Sequence, residues 1–157
     1  MKLILEKWQN LITEKKERRV IASVFIIDDK ERVLIILRSA DANKNPNVWE
    51  VPGGHVDPED KSYLAAAVRE AREEVGLVIN NLRELEAEEY HNRIKHFFVT
   101  DQYEGTIRIV KNPTTGIIEH SEYMWATLED LKGLKQQSRV SAYLLLNRLI
   151  LHFLKLN

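Results

Sequence analysis

The clearest periodic pattern in the chain is an amphipathic stretch at residues 64–75. Its apolar residues Leu64, Val68, Ala71 and Val75 recur every three or four positions, which is the spacing of one face of an α-helix. Gly76 follows directly, and a glycine there is typical of the left-handed residue that ends a helix. The pattern therefore predicts a helix that packs its apolar face against a core and ends at Val75.

The residues before this helix follow patterns typical of β-strands. Two runs rich in β-branched residues, 20–27 and 33–38, flank a polar turn, and we expect them to pair as a hairpin. Because both runs are almost continuously apolar, helices should cover the sheet on both faces. Trp49 begins a further predicted strand, which runs into the turn Pro52-Gly53-Gly54.

Further strands and helices are predicted along the rest of the chain. Strands are expected at residues 78–79, 82–90, 90–100, 106–110 and 124–127. Thr127 followed by Asp130 matches a capping box, so another helix should begin after Thr127. Amphipathic patterns also predict an N-terminal helix within residues 1–18 and a C-terminal helix at residues 138–156. We find no repeat or linker, so residues 1–157 are predicted to form one domain of the α/β class.

Length and composition are those of an ordinary globular domain. The chain has 157 residues, 44% of them hydrophobic and 30% charged, with a net charge of −1. That balance argues against a nucleic-acid polymer as the main partner, because such domains usually carry a basic stripe. The chain has no cysteine, which excludes disulfides and thiolate metal sites and is compatible with the cytoplasm, where we expect the protein. No apolar run approaches the ~20 residues that span a bilayer, so no membrane partner is expected.

The predicted helix carries three glutamates, Glu70, Glu73 and Glu74, on the side away from its apolar face. Like charges at this spacing destabilise a helix by roughly 0.2–0.5 kcal/mol per pair. A solvated acidic face is the simplest explanation of such a cluster. Here, however, the glutamates follow Gly53 and Gly54, whose carbonyl groups could join them in an all-oxygen site suited to Mg²⁺ or Mn²⁺. We therefore predict a metal site.

The same segment resembles the Nudix box of MutT-like hydrolases, whose pattern is G-x5-E-x7-R-E-U-x-E-E-x-G-U with U a bulky apolar residue. Residues 69–77 (Arg-Glu-Ala-Arg-Glu-Glu-Val-Gly-Leu) match its whole second half, with a small alanine at the first U, and Pro52-Gly53-Gly54 precedes them. The first half differs, because the expected glutamate is Asp60 and eight residues rather than seven separate it from Arg69. The resemblance implies that this first acid pairs with Arg69, and either Glu59 or Asp60 could take that role.

The resemblance also implies a fold and a chemistry. The fold is a Nudix-type α/β/α sandwich with a mixed β-sheet, and the cofactor is Mg²⁺ (or Mn²⁺). The reaction is hydrolysis of a phosphoanhydride bond in a nucleoside diphosphate linked to a second group X. In our hypothesis Glu73 and Glu74 bind most of the metal, Glu70 is a ligand or general base, and the carbonyl of Gly53 or Gly54 completes the coordination. Arg69 would orient these acids.

Three further candidates for substrate contact lie outside the helix. Arg38 ends a predicted strand and is most simply a surface charge, but its guanidinium also suits a bidentate phosphate contact. Glu119 and Glu122 precede an apolar strand that contains Trp125. One of them could add a carboxylate to the metal site or act as a base, and a plain charged loop is the alternative.

The substrate is less well defined by the sequence than the reaction. The residues that mark ADP-ribose, dinucleoside polyphosphate and coenzyme A hydrolases in the family are missing or displaced in this chain. By elimination, the leading substrate is a nucleoside triphosphate cleaved to monophosphate and pyrophosphate, followed by a nucleotide sugar or ADP-ribose. A third hypothesis is a module that binds a nucleotide or an RNA end with little turnover. We expect a small nucleotide or nucleotide conjugate as partner and a monomer or homodimer.

Overall fold

The computed structural model describes residues 1–6, 18–90, 92–112 and 115–137. Within these ranges the elements are β1 (Arg19–Ile26), β2 (Val33–Arg38), β3 (Trp49–Glu50), β4 (Gly53–His55), α1 (Tyr63–Val75), β5 (Val78–Asn80), β6 (Arg83–Tyr90), β7 (Arg93–Thr100), β8 (Gln102–Glu104), β9 (His120–Ala126) and α2 (Leu128–Gln136). Residues 2–6 are also helical. The rest of the predicted N-terminal helix, at 7–17, and the predicted helix at 138–156 lie outside the described residues. None of the described helices is long and apolar enough to cross a bilayer.

The strands form one mixed sheet and two smaller antiparallel sheets. The mixed sheet has the strand order β4-β1-β7-β6, with β1 parallel to β7 and the other pairs antiparallel. The second sheet has the order β3-β2-β9, and the third pairs β5 with β8. Mixed strand pairing together with helices confirms the predicted α/β class.

The predicted hairpin between the first two strands is wrong. β1 pairs with β4 and β7, whereas β2 pairs with β3 and β9. Among the described residues, a single bridge between Ile27 and Val33 joins the two segments. The turn is still a tight one, because Asp28 accepts hydrogen bonds from the backbone N–H groups of Lys30 and Arg32 at 3.0 and 2.8 Å. The chain thus turns from one sheet into another, and a polar turn between apolar runs does not distinguish that arrangement from a hairpin.

β1 and β2 are buried on both of their faces, as their continuous apolar runs predict. One core lies on the side of α2 and contains Phe25, Ile35, Leu37 and Leu131. The other lies on the side of α1 and contains Val24, Ile26, Leu34, Ile36, Ala67 and Val75. A helix therefore packs against each face of the apolar strands.

Both helices have the predicted caps. Gly76 ends α1 in the left-handed conformation with φ 72°, and Thr127 with Asp130 forms a complete capping box at the start of α2. The buried face of α1 differs from the prediction, since Leu64 is 41% exposed. Its buried residues are Ala66, Ala67, Ala71 and Val75. Close packing of a helix on a sheet selects small side chains, which a hydrophobic pattern underweights.

The segment at residues 106–110 is not the predicted strand. Instead, the backbone N–H groups of Arg108 and Val110 donate to the carbonyl oxygens of Val75 and Glu74 at 3.1 and 3.2 Å. The last carbonyl groups of a helix have no partner within it, and this segment supplies two donors to them. The segment therefore pairs with the end of α1 rather than with a strand. The contact also fixes the helix turn that carries Glu74.

Candidate active site

A cleft with a volume of about 520 Å³ lies between α1, the glycine turn before it and one face of the mixed sheet. Its carboxylates are Glu50, Asp57, Glu70, Glu73, Glu74 and Glu119. Its cations and imidazole are Arg38, Lys44, His55, Arg69, Arg93 and Lys95. Gly53 and Gly54 also line the cleft, so the structure brings together every candidate from the sequence except Glu122, which is exposed on β9.

The glutamates of α1 do not form a solvated acidic face. The side chains of Glu70 and Glu74 are only 13% and 14% exposed, and Glu73 is 33% exposed. Gly54 lies so close to the Glu70 carboxylate that a Cβ built at Gly54 would collide with it. Glycine at this position is therefore what allows the Glu70 carboxylate to approach the backbone of the turn.

Arg69 joins two of these glutamates to the turn before the helix. Its Nη1 atom donates to Glu70 Oε1 at 3.1 Å and to Glu73 Oε2 at 2.9 Å. Nε and Nη2 donate to the two carboxylate oxygens of Asp60 at 3.0 and 2.9 Å, and Nη2 also donates to the carbonyl oxygen of His55 at 2.9 Å. Such a bidentate pair holds the guanidinium plane in one orientation. Arg69 in turn holds Glu70 and Glu73 at defined positions.

Asp60, rather than Glu59, is the acid that pairs with Arg69. Its side chain is 8% exposed, whereas Glu59 is exposed in the turn. Hydrogen bonding to Arg69 keeps the pKa of Asp60 below its ordinary value. Asp60 also accepts a hydrogen bond from the backbone N–H of Asp57 at 2.8 Å, which closes the turn that holds the extra residue. The helix itself is capped by Ser62.

Glu74 lies in a second hydrogen-bond network, deeper in the cleft. Its Oε2 atom accepts from the backbone N–H of Gly53 at 2.9 Å, and its Oε1 atom is 3.6 Å from Nδ1 of His120. Nε2 of His120 is 2.9 Å from Oε1 of Glu50, which also accepts from Nη1 of Arg38 at 2.9 Å. His120 is 3% exposed. This buried imidazole therefore bridges the glutamate of α1 and the Glu50–Arg38 ion pair.

His120 and Glu50 are site residues that the sequence analysis did not identify. A histidine at the start of a strand produces no periodic signal, and its two carboxylate neighbours are 70 and 46 residues away in the chain. The pairing of β2 with β9, which places Arg38 opposite His120, brings the group together. The same pairing suggests how the site could be found, since charged residues at the ends of paired strands converge.

The electrostatics of the cleft favour an added positive charge beside Glu70 and Glu74. Burial raises the pKa of Glu70 to about 7, and burial together with the charge of Glu70 raises the pKa of Glu74 well above its ordinary value. Burial would also raise the pKa of Glu50, but hydrogen bonds from His120 and Arg38 bring it below the ordinary value. Two buried carboxylates thus lack the full compensation that Glu50 has.

The residues at this place fit a divalent cation. Their donors are carboxylate oxygens and the carbonyl groups of a glycine turn, which Mg²⁺ and Mn²⁺ prefer, and a bound cation offsets the cost of burying like charges. As placed, no three Asp, Glu or His side chains in the described ranges are close enough to form a finished cage. In this arrangement Glu70 and Glu73 both form ion pairs with Arg69.

Comparison with known proteins shows that the similarity to Nudix proteins extends beyond the residues of the Nudix box. The NUDIX domain model matches residues 17–146. The m7GpppN-mRNA hydrolase NUDT17 of Bos taurus is 40% identical over 55 residues, which are 35% of this chain and 18% of that protein. The matched segment therefore covers less than a fifth of the length of that relative.

Solved structures share the fold at low sequence identity. DR0079 from Deinococcus radiodurans is 22% identical, with a TM-score of 0.65 over 84% of this chain and 83% of that one. The NUDIX domain of Shewanella oneidensis NrtR, solved with ADP ribose, is 16% identical, with a TM-score of 0.61 over 75% of this chain and 78% of that one. Because the family model spans most of the chain and the box residues lie together in the cleft, the protein belongs to the Nudix family.

Proposed function

We propose that the protein hydrolyses a phosphoanhydride bond in a nucleoside diphosphate linked to a group X, with Mg²⁺ or Mn²⁺ as cofactor. The observation that carries this proposal is the pair of buried, incompletely compensated carboxylates, Glu70 and Glu74, beside the glycine turn of an open cleft. Cleavage of a phosphoanhydride builds negative charge on phosphate oxygens, and catalysis requires positive charge where it develops. The volume of the cleft lies within the usual range for small-molecule sites.

The glutamates of α1 would hold the ion, with Glu73 and Glu74 as the main ligands and the Gly54 carbonyl beside them. A bound divalent ion neutralises phosphate charge and lowers the pKa of a coordinated water. The pKa of Glu70, raised to about 7, suits a general base near neutral pH. Arg69 would position these acids, because it contacts Glu70 and Glu73 and is itself anchored by Asp60.

The candidates outside the helix take different roles in this proposal. Glu119 lines the cleft and accepts a hydrogen bond from Nδ2 of Asn112 at 2.9 Å, so we propose it as the acid that assists the helix. Glu122 is exposed and does not line the cleft, which argues against it. Arg38 is neutralised by Glu50, and its Nε atom donates to the carbonyl of Lys44 at 2.8 Å. It therefore supports the loop at the cleft more than it offers a free charge to phosphate.

A nucleoside triphosphate, cleaved to monophosphate and pyrophosphate, is the substrate that we propose. ADP-ribose or a nucleotide sugar is the second candidate, supported by the ADP ribose bound to the NrtR domain of similar fold. The intact set of box acids argues against a module that only binds nucleotides, since binding alone needs no such cluster. The absence of cysteine is compatible with the cytoplasm, where nucleotides are abundant.

A substrate panel tests this proposal directly. Nucleoside triphosphates, ADP-ribose and nucleotide sugars would be incubated with the protein and Mg²⁺ or Mn²⁺, and phosphate, pyrophosphate and nucleotide products would be measured. We expect metal-dependent release of pyrophosphate and monophosphate from a triphosphate, and none in EDTA. Equal rates with and without EDTA, or no hydrolysis of any compound, would contradict the proposed function.

Gly54→Ala should damage the site without unfolding the protein. The new methyl group would displace the Glu70 carboxylate, and misplacement of a catalytic group by about 1 Å can lower the rate about 100-fold. Gly133→Ala is the matched control, because nothing lies within 4 Å of a Cβ at that position in α2. We expect the control to keep full turnover and a melting temperature at least equal to that of the wild type. Steady-state rates and thermal melts check both variants, and equal rates for the two would contradict the role of Gly54.

A further inference from the structure

We propose that Arg93 and Lys95 form a second anion site in the cleft, which binds substrate phosphates beyond the diphosphate held at the glutamates. The proposal rests on the proposed function and deepens it. It names the substrate class as compounds with three or more linked phosphates, and it makes a neutral group X a poor substrate.

The sheet register places both cations on the floor of the cleft. Residues 93, 95 and 97 alternate along β7 and all line the cleft. Phe97 is level with Ser23 of β1 and Gly53 of β4, and Lys95 is one step further, level with Ile21 and His55. A step of two residues along a strand is about 6.6 Å. Along β7, Lys95 is therefore two residues and Arg93 four residues from Phe97, which is level with Gly53. Gly53 is the residue whose backbone N–H binds Glu74.

The carboxylates of α1 and the two cations lie at different positions along the sheet. The row of Gly53 and Phe97 meets the carboxylates of α1, because the backbone N–H of Gly53 donates to Glu74. Lys95 and Arg93 lie one and two steps along β7 from that row. A substrate whose diphosphate lies at the carboxylates would direct its remaining phosphates toward the two cations.

Both cations lack a counter-charge in the part of the chain that the structure describes. Neither side chain makes an ion pair or side-chain hydrogen bond there. Glu88 of β6 is opposite Lys95 in the register, but it forms no ion pair with it and does not line the cleft. By contrast, Arg38 and Arg69 line the same cleft and are each tied to carboxylates. The free positive charge of the cleft is thus at Arg93 and Lys95, together with Lys44.

The chemistry of the pair matches a phosphate chain. Guanidinium and ammonium groups are the usual protein ligands of phosphate oxygens. A neutral sugar in the same place would leave two cations partly desolvated without a partner, which is unfavourable. A triphosphate or longer chain uses both halves of the cleft, whereas a diphosphate with a neutral X uses only one.

Binding of inorganic phosphates tests the site without any need for turnover. The double variant Arg93→Gln/Lys95→Gln would be compared with Lys30→Gln/Lys61→Gln, which removes the same charge at exposed residues outside the cleft. Titration calorimetry with Mg²⁺ would measure Kd for inorganic triphosphate and pyrophosphate. We expect the first variant to lose ~10- to 100-fold affinity for triphosphate and less than about threefold for pyrophosphate. The control should match the wild type for both ligands.

Kinetics with nucleotides complete the test. In the Arg93→Gln/Lys95→Gln protein we expect a raised KM for a nucleoside triphosphate, an unchanged kcat and no change for a nucleotide sugar. Equal losses for both ligands, or no loss for triphosphate, would overturn the anion site. If triphosphate binding depends on the two residues but no nucleotide is cleaved, the anion site stands and the proposed function fails.

Discussion

Glu73→Gln is expected to lower kcat about 1,000-fold while the protein stays folded. Glutamine has the shape of glutamate and keeps an oxygen that can accept the hydrogen bond now made by Nη1 of Arg69 at 2.9 Å. It lacks the negative charge that a divalent ion requires. Because the side chain is one-third exposed, the change should leave the free energy of unfolding nearly unchanged.

The matched control for Glu73 is Glu59→Gln. Glu59 is an exposed acid in the turn before α1 and does not line the cleft, so its loss should not change turnover. Rates at saturating substrate and Mn²⁺ binding by electron paramagnetic resonance would be measured for both variants. Turnover by Glu73→Gln at the wild-type rate would show that the catalytic assignment is wrong, whatever the effect on metal affinity.

The metal-free protein is expected to lose stability as the pH rises from about 4.5 to 8. The pKa of Glu70 is raised from 4.5 to about 7 in the folded protein, so its stabilising effect is complete below the unfolded pKa. That effect is lost as the pH rises through the folded pKa. For Glu70 alone the loss is about 3 kcal/mol, and Glu74, whose pKa is also raised, acts in the same direction.

Denaturant unfolding in EDTA at pH 5, 6, 7 and 8 measures this dependence. Asp60 and Glu50 have lowered pKa values, so their contributions change mainly below this range. Adding Mg²⁺ or Mn²⁺ should restore more stability at pH 8 than at pH 5, since the ion binds the charged carboxylates. Glu70→Gln should flatten the curve. A Glu70→Gln protein whose stability has the same pH dependence as that of the wild type would contradict the placement of this carboxylate.

Local features of the fold followed directly from the sequence. The period of α1, its end at Gly76 and the capping box of Thr127 with Asp130 involve residues within one or two helix turns, so a short window contains all the information. The box glutamates were recognised for the same reason. Even so, the prediction that Leu64 faces the core was wrong. The helix packs closely on the sheet, so its small alanines are buried instead, and a hydrophobic pattern does not reveal this.

Pairing between distant residues was decided only by the tertiary structure. The hairpin prediction failed because an apolar strand is compatible with several partners. The segment at 106–110 donates hydrogen bonds to the end of α1 instead of pairing within a sheet. Whether Asp60 or Glu59 meets Arg69 depends on the path of one turn.

The position of His120 between Glu50 and Glu74, and of Arg93 and Lys95 on the cleft floor, depends on strand register. The chemistry of α1 could be assigned from the linear sequence, because the glutamates that would bind the metal are close together in the chain. Which charged residues face that helix depends on the assembled sheets. Strand register brings together residues that are far apart in the sequence, so no short stretch of the chain contains that information.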